Sequence, residues 1–268
     1  YPSNLSFDEL YNLNSTVIYK TAWFWTNTTY TASQQGSGYN GNNYAVYNAT
    51  GGNAATVPDT VTYSAIIPDG KVAVGQAFLV QLKNVGANQT LTFKNKNGAN
   101  FLRIAGDADF YQKNSEAKNR YWLKLISPNN LQNSQLIGYI QGATNGYEQD
   151  YDARAISSTS SNLFYSVLEN EKLIIQGKGQ FNIEDKVKLG ANIFENGNYI
   201  IGLFKKEGIF DGVQKIYLKD YLLNTITDLS ANDYSFNADA GTSEGRFEIV
   251  YEPQSTLATD DSSKNEIQ

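Results

Sequence analysis

Between residues 216 and 251 the apolar side chains fall on every second position. Ile216 and Leu218 share one face of an extended run, with Tyr217 and Lys219 on the other. Tyr234 and Phe236 repeat the step, as do Phe247, Ile249 and Tyr251. A period of two belongs to a strand with one buried face, because successive side chains point to opposite sides of a sheet. Asn224, residues 230–233 and residues 240–242 break the pattern with turn-forming side chains. Such a chain closes antiparallel strands through short polar turns. Residues 246–251 read as the strand that completes a sheet begun far upstream.

The same reading extends backwards. Residues 17–19, 22–25, 44–47, 72–74, 77–80 and 90–93 form a first set of strands, preceded by a short helix from Phe7 that Ser6 caps and Glu9 supports. Residues 94–119 are polar and read as a linker. A second set follows at 120–125, 135–140, 164–167, 173–176, 186–189 and 199–204, with Asn196-Gly197 and Asp211-Gly212 marking turns. No sustained helical period appears. The expected fold is all-β: two antiparallel, jelly-roll-like β-sandwich modules in tandem, residues 1–110 and 111–253, then a flexible tail at 254–268.

The 268 residues contain no Cys, His or Met. That excludes a disulfide framework, a Ser-His-Asp or Cys-His triad, and a zinc site built on His or Cys. A net charge of -6 with 18% charged residues argues against nucleic acid, which needs clustered Lys and Arg. No apolar run reaches the roughly 20 residues of a membrane helix, so no membrane insertion is expected. The chain opens at Tyr1 without a Met and reads as a processed piece of a longer protein.

Only carboxylate chemistry is left to consider. Glu148, Asp150 and Asp152 alternate in the loop after Gly146, a spacing that offers calcium several oxygens together with Asn145. In the competing reading Asp152 pairs with Arg154 or Arg246 and the other two face water. Apart from calcium, no cofactor is expected. A carboxylate-based glycoside hydrolase is the remote alternative and requires two carboxyls facing each other across a cleft. Trp23 and Trp25 alternate with Phe24, so both indoles share a face. With Tyr39, Tyr44 and Tyr47 from the neighbouring Gly- and Asn-rich stretch they form a candidate sugar-stacking platform, unless the pair fills the core.

Four stretches carry a family resemblance: YPS at 1–3, GQAFLV at 75–80, LIGYIQGATNGYEQDYDAR at 136–154, and IYLKDYLLNTITDLSANDYSFNADAGTSEGRFEIVY at 216–251. In this order they resemble the module beside the C-terminal sorting signal of large Bacteroidetes surface proteins exported by the type IX secretion system. The resemblance spans nearly the whole chain and departs from the family pattern at Gly245 and Glu148. It implies a secreted, cell-surface location, the type IX machinery as partner, and surface architecture in place of catalysis. Asp59-Thr60-Val61 looks like the O-glycosylation pattern of that phylum, which makes Thr60 a candidate acceptor. The expected function is a non-catalytic structural spacer that presents a passenger near its sorting signal. The alternative is a carbohydrate-binding or adhesion module with a glycan as partner.

Overall fold

The structure, a computed structural model, describes residues 2–26, 43–60, 67–86, 88–104, 118–156 and 161–253. The described chain is mostly β. The N-terminal half contains β1 (Leu5–Ser6), α1 (Phe7–Leu13), β2 (Ile18–Trp25), β3 (Tyr44–Tyr47), β4 (Gly52–Asn53), β5 (Val57–Pro58), β6 (Lys71–Val72), β7 (Phe78–Leu82), β8 (Lys96–Asn97) and β9 (Asn100–Phe101). Then come β10 (Asn119–Ile126), β11 (Leu131–Tyr139), β12 (Ala153–Arg154), β13 (Leu163–Leu168), β14 (Glu171–Lys178) and β15 (Lys186–Ile193). β16 (Gly197–Glu207), β17 (Tyr217–Asp220), β18 (Thr225–Asp228), β19 (Tyr234–Ala238) and β20 (Gly241–Val250) end the fold.

Twelve strands join one large sheet whose main path runs β18-β17-β20-β15-β13-β14-β11-β10-β16-β19. The path curls until its ends approach, and alternate residues point into a single core. Tyr121, Leu123 and Leu125 of β10, Val187, Leu189 and Ala191 of β15, and Phe247 and Ile249 of β20 meet there. The expected closing strand is therefore observed: β20 pairs antiparallel with β15 and with β17. Aromatic hydroxyls cross one end of this core. Tyr121 and Tyr251 lie 2.7 Å apart, Tyr251 and Tyr139 2.8 Å, and Tyr139 donates to Asp185 at 2.8 Å. Burial first, and these neighbours second, push the tyrosines above their ordinary pKa, so the chain of hydroxyls stays protonated.

The N-terminal sheet, β4-β3-β2-β7, lies against the outer face of the large one. Val46 and Trp23 pack on Trp122, Leu136 and Ile175, the outward residues of β10, β11 and β14. On its far side α1 and the chain around Leu102 cover Phe24 and Val72. Ser6 caps α1 as expected, its Oγ accepting the Glu9 amide at 3.3 Å. α1 has seven residues, and among the described residues no helix is long and apolar enough to cross a membrane.

The layering explains where sequence and structure differ. β11 begins at Leu131, ahead of the expected 135, and all nine of its residues are buried. Its polar start is hidden from a hydrophobic pattern because Ser134 and Asn53 exchange hydrogen bonds of 2.9 and 3.0 Å, and Asn133 donates to Thr56 at 2.6 Å. The pairing of β5 with β11 carries the sheet across the expected boundary between the halves. Residues 90–93 form no strand. Instead the Asn14 carboxamide pairs with the Thr92 main chain at 2.7 and 2.9 Å and satisfies it as a ladder would. Within the expected linker, β8 and β9 form a hairpin, and Leu102 is fully buried beside it.

Candidate functional site

A hydrogen-bonded clasp joins the two halves. Gly138 of β11 and Gly177 of β14 are register partners on parallel strands. Together they leave a notch that Thr50 fills. A Cβ on Gly138 would stand 2.6 Å from Thr50 Cγ2, and one on Gly177 would stand 2.6 Å from Thr50 Oγ1. The turn carrying Thr50 is shaped by Asn48, whose Oδ1 accepts the amides of Thr50 and Gly51 at 2.9 and 3.3 Å. Arg120 donates to the Thr50 carbonyl at 2.7 Å and to Glu207 at 2.6 Å, while the Trp122 indole donates to the Gly52 carbonyl at 2.8 Å. Lys118 donates to the Ala49 carbonyl at 2.7 Å. Its amine is lowered to about 8, chiefly by burial and then by Arg120 and Lys20.

The acidic loop is the second half of this clasp. Asp150 reaches into the N-terminal layer, accepting the Lys20 amide and the Tyr11 hydroxyl, the latter at 3.0 Å, with Lys83 3.9 Å away. Burial, followed by Asp150, pushes the Tyr11 hydroxyl up to about 12. Asp152 turns the other way, accepting the amides of Glu148 at 2.6 Å and Gly177 at 2.8 Å. Burial raises its carboxyl to about 6 against the lowering effect of those two amides. Glu148 accepts the Thr144 amide at 2.6 Å. The three carboxylates proposed as calcium ligands thus diverge, each toward its own backbone donor. Among the described residues no group of three or more carboxylates is placed to hold a metal ion. The competing expectation for Asp152 is corrected too: Arg154 pairs with Glu171, and Arg246 pairs with Asp220.

The aromatic candidates separate. Trp23 packs between the sheets. Trp25, at the strand end, keeps 39% of its surface exposed and meets Tyr44 edge-on at 5.2 Å. Beside it opens a cleft of about 210 Å³ that reaches Phe24, Val57, Ile67 and Gln76. Tyr47 lies on the opposite face of β3, packed against Phe7 and donating to Asp8 at 3.0 Å, so it belongs to no platform with Trp25. Tyr39 lies outside the described residues. Thr60 is exposed, but Val61 of its motif is likewise outside them.

Sequence reasoning missed the stitch at the sheet's open seam. Asp220, 1% exposed, accepts Arg246 through both oxygens at 2.8 to 3.2 Å and the Tyr234 hydroxyl at 2.8 Å. Burial acts to raise this carboxyl, but the bonds from Arg246, Tyr234 and the amides of Leu223 and Leu222 outweigh it and hold it below its ordinary value. Arg246 lies over the rings of Phe236 and Phe247 and reaches the Asn237 carbonyl of β19 at 3.4 Å. A bulge aims it there: β20 shifts register opposite Leu189 and Gly190, with Gly245 at φ 77. Glycine at 245 is the residue type this positive-φ backbone favours. The available signal was the Gly-Arg pair opening an apolar strand.

Comparison with curated proteins and with solved structures returns no match. The chain belongs to the family described as a domain of unknown function, DUF8693, whose model matches residues 1–251.

Proposed function

We propose that this chain is a non-catalytic structural module of a cell-surface protein exported by the type IX secretion system, holding a passenger near its sorting signal. The observation that supports the reading is the clasp. Thr50 sits in a notch on the large sheet, while Asp150 of the large sheet's loop binds β2 and α1 of the other half. In this reading the two sandwich-like modules act as one stiff spacer, because neither can tilt without breaking part-buried hydrogen bonds on both sides. The test is surface display in a bacterium with a type IX system. A reporter placed ahead of residue 1, with a sorting signal after residue 268, is expected at the cell surface in protease-resistant form. Equal display and equal protection when residues 1–253 are replaced by a flexible Gly/Ser linker would contradict the spacer role.

A second reading is a carbohydrate-binding or adhesive role, favoured by the cleft beside the exposed Trp25. Glycosylation at the exposed Thr60 belongs to the surface-protein reading and is checked by the intact mass of Thr60→Ala against the parent chain from the native host.

A further inference from the structure

We propose that the free edge of β20 between Gly241 and Glu244 docks an extended peptide strand of another protein, with a lysine or arginine of that strand beside Asp239. The site goes beyond the spacer reading and does not depend on it.

The edge follows from the bulge in β20. From Phe247 to Val250 the strand is paired on both sides, with β15 and with β17. The last bond on the β17 side runs from the Tyr221 amide to the Arg246 carbonyl at 2.8 Å, and the chain then turns back through Leu222 and Leu223 into β18. From Gly241 to Glu244 only β15 is a partner. Alternate residues of such a strand turn their N–H and C=O away from the paired neighbour. Among the described residues no other main chain receives them. Four residues make an edge of about 14 Å. An incoming strand would lie in line with β17 and continue it along the same neighbour, the geometry of strand addition.

Space and surface suit that occupant. A cleft of about 690 Å³ opens along residues 241–244, with Asn237 and Ala238 of β19 as its far wall. Leu222, 70% exposed, bounds it on the β17 side, and Ile193 and Ala238 add apolar surface. One face of an added strand would therefore meet apolar contacts while its main chain meets β20.

Charge sets the chemistry of the partner. The charged side chains lining the cleft are Asp239, Glu244 and Arg246. Arg246 is held by Asp220 at 2.8 Å, and Glu244 by Lys172 at 2.7 Å. Asp239 is exposed and has no ionic partner among the described residues. The uncompensated charge is thus negative, on a chain of net charge -6, and complements a cationic side chain.

The experiment pans a phage library of random heptapeptides on the full chain and measures the best synthetic peptide by fluorescence anisotropy. Alternating β-branched residues with a lysine or arginine are expected. N-methylation of one alternate set of peptide amides should abolish binding, and methylation of the other set should leave it. Hydrogen exchange at Thr242–Gly245 should slow at least tenfold in the complex. Asp239→Lys and Leu222→Ser, both at exposed positions, are expected to keep the parent melting temperature and to weaken binding about fivefold each. A library with no enriched peptide, enrichment of acidic peptides, equal tolerance of both methylated sets, or protection confined to other strands would overturn the site. Protection of Thr242–Gly245 in the free chain, at any concentration, would mean that the edge is already taken by the chain itself or a second copy, and would also overturn it.

Discussion

Asp152 and Asp220 are both almost fully buried carboxylates, yet their surroundings push them in opposite directions. Asp152 has two backbone amides and no bonded cation, so burial dominates and its carboxyl titrates near 6. A folded pKa above the unfolded value of about 3.9 means the folded state binds the proton more tightly. Its stabilising effect is complete below about pH 4 and is lost as pH rises through about 6. The chain has no His, and its other carboxylates are shared by parent and variant, so a comparison with Asp152→Asn isolates this group. Relative to Asp152→Asn, the parent chain is expected to lose about 2–3 kcal/mol of unfolding free energy between pH 4 and pH 7. Urea titrations at the two pH values check this, and a parallel response of parent and variant would contradict it. Asp220, with Arg246 on both oxygens, behaves oppositely, contributing stability above about pH 4 that is lost on acidification. Neither environment was legible in the sequence. The alternation Glu148, Asp150, Asp152 resembles a ligand set in one dimension, and only the fold reveals that each carboxylate faces a different backbone donor.

At the scale of elements, the paired glycines and the seam make separate predictions. Gly138→Ala brings its Cβ against Thr50 Cγ2, while its next neighbours, in Arg120 and Ile140, stand at an ordinary 3.4 Å. The expected cost is about 1–3 kcal/mol. Thr50→Ser removes that methyl yet keeps the oxygen that donates to the Tyr151 carbonyl at 2.8 Å, so the double variant should recover most of the loss. Thermal unfolding of the four-member cycle checks the coupling, and strict additivity would contradict the notch. Arg246→Ala strands the buried carboxylate of Asp220 and should cost about 3–5 kcal/mol at pH 7, falling on acidification as that carboxylate takes up a proton in the variant. Strands with one apolar face, such as β16 and β20, were readable because their period is two. The polar start of β11 was not, because it is buried by hydrogen bonds to the N-terminal half. The notch was illegible for a related reason: Gly138 and Gly177 lie far apart in sequence and acquire meaning only when β11 and β14 run parallel.

For the molecule as a whole, composition and pattern announced a β-rich chain with one short N-terminal helix, and both are present. What they did not convey is how the N-terminal sheet meets the large one. Trp122, Leu136 and Ile175 sit on the outward faces of strands whose inward faces already build a core, so their second partner has no periodic signature. If Thr50, Asp150 and this shared layer make the two halves one mechanical unit, the chain should unfold as one. Hydrogen exchange followed by mass spectrometry across a urea series tests this most directly, by comparing amides of β2 and β3 with those of β10 and β20. The spacer account predicts that both sets open at the same urea midpoint and with the same free energy. Opening of the N-terminal sheet at clearly lower urea, with the large sheet still protected, would contradict it.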